Sequence, residues 1–423
     1  KASKKKPARK KVKKKPAKKK SARKSAKKKA AKKKAAKKKA AKKKAARKPA
    51  KKKAGKKKSA AKKATATTSS SGIATVAGII RTHAKNLSGK VSLVQGDRVQ
   101  TWQELYKRSS QVAQALKAAG VGSQDRVAFL DKNSIEHFEV FYGCALLNAV
   151  SVDINFRLAA PEVAFIVNDA QAKVFVVGPD FVPVLDAIVG DLKFTKKIVV
   201  IGGHPTHESY ESWVSRYQPI DPGTDSKPHD VAFQLYSSGT TGRPKGVMLT
   251  NDNFLGILPS ARDLWGMNEH AVNLVAMPLF HIGGSGWATA GQYNGCKSVI
   301  LRDTTDIGGM VKMITQHRIT HAFMVPALLA FTLMVPDIDK ADFSSLKLIA
   351  YGASPISEQV LAASLKTFKC SFVQVYGLTE TTGVVTMLMH EDHDVDGPKK
   401  HLLRSCGKPS MGVELKKIGR AHV

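Results

Sequence analysis

Residues 235–247 read "LYSSGTTGRPKGV". An apolar approach gives way to six consecutive small residues, then to a basic exit, Arg243-Pro244-Lys245-Gly246. The preceding "VAFQLY" (231–236) has the composition of a strand, which makes "SSGTTGRPKG" (237–246) the loop leaving it. Gly239, Gly242 and Gly246 permit backbone angles and close approaches that side chains forbid. Ser237, Ser238, Thr240 and Thr241 add hydroxyl donors, and Lys245 adds a positive charge. Together these suit the phosphates of a nucleotide. The string is not a Walker A loop, because Lys245 is followed by Gly246 and the glycines are spaced differently.

Outward from this loop, short β-rich runs alternate with amphipathic helical stretches. Thr101-Trp102-Gln103-Glu104 carries a capping-box signature and opens a helix with Leu105, Val112 and Leu116 on its apolar side; Gly120 is its stop. "RVAFL" (126–130) reads as a buried strand, "SIEHFEVFYGCALLNA" as a helix, and "VSVDI" as a strand again. The rhythm continues through "AAPEVAFIVNDA", "KVFVVG", "VPVLDAIVG" and "KIVVIGG". Such alternation predicts an α/β fold of layered, largely parallel sheets with flanking helices. Ligands of such sheets sit at the carboxyl ends of strands, where loops supply the chemistry.

The chain has 423 residues and a formal net charge of +39, unevenly placed. Residues 1–63 hold 37 Lys or Arg and no acid; the rest carries 34 basic against 32 acidic residues. Residues 27–46 are four copies of Lys-Lys-Lys-Ala-Ala, a five-residue period that never aligns the alanines into a stripe. With nothing to bury and strong self-repulsion, residues 1–72 are expected to be a disordered tail and linker, "ATATTSSSG" (64–72) being the flexible part. The tail resembles the Lys/Ala/Pro-rich tails of linker-histone-like proteins. That resemblance and the charge imply nonspecific, salt-dependent contact with polyanions, either nucleic acid or an anionic membrane. Four dispersed cysteines without metal spacing, and no apolar run of transmembrane length, point to a cytoplasmic protein, peripheral to membrane or nucleoid through its tail.

Further motifs follow the loop in order: "PLFHIGG" (278–284), "YGASPI" (351–356), "VQVYGLTETTG" (373–383) and "CGKPSMGVELK" (406–416). With "YSSGTTGRPKG" these resemble the signatures of the adenylate-forming enzymes: acyl-CoA synthetases, firefly-type luciferases and peptide-synthetase adenylation domains. The resemblance covers nearly all of residues 73–416 and is nearest to bacterial fatty-acyl-CoA ligases.

That resemblance implies a two-step reaction. A carboxylate attacks the α-phosphate of ATP, giving an acyl-adenylate and pyrophosphate, and coenzyme A then displaces AMP. Residues 237–246 would hold the β- and γ-phosphates, with Lys245 among the catalytic groups. Glu380 and Thr240 would help hold Mg²⁺, and Thr379 would lie near the α-phosphate. Tyr376 would face adenine, bordered by Gln374, Gly352 and Ala353. His281 would stand at the mouth of the carboxylate pocket, and Trp287 and Phe323 would line it or simply belong to the core. Val375 stands where fatty-acyl ligases often have glycine, which would shorten or reshape the pocket. The resemblance makes residues 73–417 an incomplete N-terminal, AMP-binding domain, with the ribose-binding segment and the C-terminal lid absent. The ending "IGRAHV" (418–423) reads as non-native read-through, and a chain without its lid is expected to be inactive or impaired.

Overall fold

The computed structural model describes residues 72–237, 243–416 and 418–419. The basic tail and linker to residue 71 lie outside the described residues, as do Ser238, Gly239, Thr240, Thr241 and Gly242.

In chain order the strands are β1 (Val91–Gln95), β2 (Arg98–Thr101), β3 (Arg126–Leu130), β4 (Val150–Asp153), β5 (Val174–Val177), β6 (Lys197–Val200), β7 (Glu208–Ser209), β8 (Val231–Ser237), β9 (Lys245–Thr250), β10 (Val272–Val275), β11 (Lys297–Ile300), β12 (His321–Met324), β13 (Leu348–Gly352), β14 (Ser371–Leu378), β15 (Gly383–Leu388) and β16 (Lys408–Pro409). They form a seven-stranded sheet ordered β7-β6-β5-β3-β4-β8-β9 and a nine-stranded sheet ordered β16-β15-β14-β13-β12-β10-β11-β1-β2. The pairing is parallel except at β8–β9, β1–β2, β14–β15 and β15–β16.

Strand periodicity assigns the layers. Val127 and Phe129 of β3 face one core while Ala128 and Leu130 face another, and Val174, Val176 and Phe175, Val177 of β5 divide the same way. In the larger sheet Leu348 and Ala350 of β13 join the first core, and Ile349 and Tyr351 a third. The first core therefore lies between the sheets. Helices Val76–Asn86, Trp102–Ala118, Ile135–Leu146 and Ile282–Tyr293 fill it. Ile135–Leu146 is buried at every position but Glu136, as a helix between two sheets must be. Both sheets are thus covered on both faces at their centres, where strands such as β3 and β5 read as continuous apolar runs, while the edge strands β2, β7 and β16 are polar.

The local signals act as the sequence implies. Thr101 and Glu104 form a reciprocal capping box, worth about 1 kcal/mol. Gly120 follows that helix at φ +82°. The antiparallel excursions lay outside the strand–helix reading, and one of them remakes the loop at 237–246.

Candidate active site

β8 and β14 belong to different sheets, yet their carboxyl ends meet. Ser237 Oγ donates to Glu380 Oε1 at 3.0 Å. Glu380 sits in a single 3₁₀ turn, Thr379–Thr381, tightened by the Leu378 N–H donating to Thr381 Oγ1 at 2.9 Å. Thr382 (φ +59°) and Gly383 (φ +98°) then reverse the chain into β15. A Cβ at Gly377 would overlap the Gly383 carbonyl, so this glycine serves the β14–β15 turn.

The quoted loop is shorter than its sequence implies. Lys245 and Gly246 are the first residues of β9, antiparallel to β8, with Lys245 opposite Ser237 and Gly246 opposite Tyr236. A Cβ at Gly246 would run into Gln234 and crowd the Tyr236 ring. Its small size therefore serves the packing of the hairpin. Tyr236 is fixed in turn by donating to Asp169 Oδ2 at 2.7 Å. Lys245 is exposed beside Ser237 at the hairpin mouth, which places a cation, a hydroxyl and a carboxylate together.

A groove of about 660 Å³ runs from the end of β13 along β14, with Ala353, Gln374, Val375 and Tyr376 in its lining. Tyr376 is 46% exposed, leaving a ring face free. Gln374 Oε1 is buried with no hydrogen-bond partner among the described residues, an acceptor suited to an incoming N–H. Ala353 occupies the left-handed region at φ +64°, a strained conformation for a residue with a Cβ. Gly352 is aligned with Val375, and a Cβ there would overlap the Val375 carbonyl. It brings β13 against β14 and does not itself line the groove.

On the far side of Ala353 lies a smaller, apolar cavity of about 90 Å³. Trp287 and Phe323 line it while also belonging to the core between the sheets. Val375 lines both this cavity and the groove, standing as the partition between them.

His281 stands at the mouth of this cavity as the N-cap of Ile282–Tyr293. Its Nδ1 accepts from the Gly283 N–H at 3.0 Å. A nitrogen that accepts carries no proton, so the proton of the neutral ring lies on Nε2. Desolvation by the cavity walls, then repulsion from Arg157, hold the His281 pKa below the usual histidine value. Arg157 is set against the rings of Phe156 and Phe280, 5.4 and 5.7 Å from their centroids. Gly284 is required because a Cβ would overlap the Pro278 carbonyl.

Sequence reasoning missed Asn133. This buried side chain accepts from the Leu279 N–H at 3.0 Å and donates to the carbonyls of Met277 at 3.0 Å and Leu301 at 3.2 Å. It ties the loop after β3 to the segment carrying His281. Trp265, Ile257 and Phe254 of the cavity wall were missed too. None of them sits in a motif; their contacts arise from topology, as the separation of 146 residues between Asn133 and Leu279 illustrates.

A family model described as "AMP-binding enzyme" matches residues 80–421. The chain belongs to the AMP-binding enzyme family. Among curated relatives, it is 36% identical over 347 residues to the fatty acid–acyl-carrier-protein ligase ScoC of Streptomyces coeruleorubidus, covering 79% of this chain and 64% of that protein. It is 31% identical over 296 residues to the long-chain-fatty-acid–CoA ligase FadD13 of Mycobacterium tuberculosis, covering 69% and 57%. The chain thus spans less than two thirds of the length of these relatives. Among solved structures, the inhibitor-bound N-terminal domain of FACL13 from Mycobacterium tuberculosis aligns with a TM-score of 0.71 at 28% identity, covering 75% of this chain and 79% of that one. The anthranilate CoA ligase AuaEII, in complex with anthranoyl-AMP, aligns with a TM-score of 0.74 at 25% identity, covering 80% and 65%.

Among the described residues no group of three or more His, Cys, Asp or Glu could cage a metal ion. The donor set at Glu380 nonetheless fits Mg²⁺ in this AMP-binding fold. One carboxylate oxygen is engaged by Ser237 and the other has no protein hydrogen bond among the described residues. Mg²⁺ is commonly bound through one or two carboxylates together with substrate phosphates. No helix of the described residues is long and apolar enough to cross a membrane.

Proposed function

We propose that the whole protein activates an apolar carboxylic acid with ATP, releases pyrophosphate to form an acyl-adenylate, and passes the acyl group to a thiol, coenzyme A. The observation that carries this reading is the meeting of three features: the Ser237–Glu380–Lys245 cluster, the groove beside Tyr376, and the apolar cavity behind His281. Ala353 and Val375 join the last two. The relatives, a fatty acid–acyl-carrier-protein ligase and a long-chain-fatty-acid–CoA ligase, support it.

The first step brings a carboxylate against a polyanion, so positioning and charge neutralisation carry most of the acceleration. In this reading the triphosphate lies at the mouth of the β8–β9 hairpin, against Lys245 and the Ser237 hydroxyl. Thr379 faces the α-phosphate. Glu380 would hold Mg²⁺, which when bound neutralises phosphate charge. Tyr376 stacks on adenine and Gln374 Oε1 accepts its amino group. The Nε2–H of neutral His281 donates to the carboxylate and orients it, while the cavity behind excludes water from the acyl group.

The test is acid-dependent release of pyrophosphate by the protein expressed from its complete reading frame, with ATP and Mg²⁺. Release in step with added acid, followed by thioester formation when coenzyme A is supplied, is the expected outcome. No release with any acid would overturn the proposal.

A further inference from the structure

We propose that the acid is compact and ring-bearing, with a hydrogen-bond acceptor remote from its carboxylate, and not a long aliphatic chain; this rests on the reading of the apolar cavity as the acyl site.

Three observations carry it. The first is size. The cavity, which is partly open, offers about 90 Å³, whereas an engineered cavity of about 150 Å³ holds a single benzene. Modest repacking admits one ring, but a long chain needs several times that space. Val375 stands on the side toward the groove, and Trp265 and Trp287 on another; a cavity of about 480 Å³ beyond His281, Phe323 and Ala353 is lined in part by the exposed Phe331 and opens toward the surface.

The second is wall chemistry. Trp265, Trp287 and Phe323 form a continuous fan, with centroids 5.6 and 6.0 Å apart and interplanar angles of 38° and 35°. Gly283 and Gly286 keep the helix side low, and a Cβ at Gly286 would find only Ile282 within ordinary contact distance. A slot between low-profile helix backbone and aromatic walls favours a flat ligand, since ring pairs gain about 0.5–1.5 kcal/mol beyond their buried area.

The third is an orphan donor. Trp265 is 8% exposed, and its Nε1–H is buried with no acceptor among the described residues. The neighbouring Trp287 Nε1–H is satisfied by the Leu274 carbonyl at 3.2 Å. An unpaired buried donor costs about 1–3 kcal/mol, which an acceptor on the far end of the ligand would offset.

The test uses non-hydrolysable acyl-sulfamoyl adenosines, titrated calorimetrically into the 423-residue chain and into its Trp265→Phe variant. The acyl groups are 4-hydroxyphenylacetyl, phenylacetyl, dodecanoyl and hexadecanoyl. Both ring-bearing compounds are expected to bind at least tenfold tighter than the hexadecanoyl one. Trp265→Phe is expected to weaken the hydroxylated ring compound about tenfold and to leave phenylacetyl within twofold. Equal or tighter binding of the dodecanoyl or hexadecanoyl compound would overturn the inference while leaving adenylate binding intact. If no compound binds, and sulfamoyl adenosine without an acyl group fails as well, the site reading falls and this inference with it.

Discussion

Ser237 and Glu380, 143 residues apart, share a hydrogen bond of 3.0 Å that joins the end of β8 in one sheet to the turn after β14 in the other. The pair is exposed, and exposed polar pairs add little to folding. Its worth lies in fixing where the carboxylate stands. Ser237→Ala is therefore expected to change stability by no more than about 0.5 kcal/mol while weakening Mg²⁺-dependent nucleotide binding several-fold. Glu380→Gln keeps the hydrogen bond but removes the charge, and is expected to lower adenylation at least about 100-fold. Chemical denaturation beside nucleotide titration with and without Mg²⁺ checks both. Equal loss of stability and binding in Ser237→Ala would contradict a positioning role.

Asn133 behaves differently because it is buried and fully engaged. Asn133→Ala leaves the Leu279 N–H and two carbonyls unpaired, at a cost of about 1–3 kcal/mol. The displaced 277–281 segment carries His281, so acyl-adenylate analogues are expected to bind at least fivefold more weakly. AMP, which in the proposed placement does not reach that segment, is expected to bind unchanged. Parallel calorimetric titrations of the two ligands distinguish this from general loosening, which would weaken both.

His281 supplies a pH dependence whose sign follows from its neutral state. Its pKa is lowered, first by desolvation and then by Arg157. The Nε2–H donor and the Gly283 contact therefore persist at pH 6.5 and above. Below the depressed pKa a second proton on Nδ1 breaks the Gly283 contact. Adenylation is expected to be flat from pH 7 to 8 with respect to this group and to fall only on the acid side of 6.5. His281→Ala should lose about 10- to 100-fold in rate and lack that acid limb. A limb that persists in His281→Ala would assign it to another group.

Stability is expected to follow the same direction. His83, His321 and His393 have lowered pKa values, in each case mainly through burial. Unfolding returns them to about 6.5, so below that value the unfolded chain binds more protons than the folded one. Stability is thus lost as pH falls from about 6.5 toward the depressed values, and is level above. Thermal melts at steps from pH 8 to 5 should show a falling midpoint only in the lower half of that range. A midpoint rising on acidification there would contradict the assignment.

Much of this was legible in the chain. The strand–helix rhythm and buried Val/Ile runs announced the parallel layers, and Thr101 with Glu104 announced a helix start that the structure shows. The motif residues Ser237, Lys245, Glu380, Ala353, Tyr376 and His281 do gather on the side where strand ends meet. What could not be read was pairing between distant segments. Nothing local in "GRPKGV" distinguishes a loop exit from the antiparallel strand that β8 makes of it. Gly246 and Gly352 look like ligand-facing glycines in sequence, but backbone and side-chain neighbours fill the space a Cβ would need. Asn133 and Trp265 carry no motif, so only their tertiary contacts reveal them.

The most direct measurement is exchange of labelled pyrophosphate into ATP by the protein expressed from its complete reading frame, with Mg²⁺ and a carboxylic acid present. Exchange requires reversible attack of the acid on the α-phosphate and needs no thiol. Acid-dependent exchange that Glu380→Gln reduces at least about 100-fold is the predicted result. Exchange absent with every acid, or unaffected by Glu380→Gln, would contradict the account.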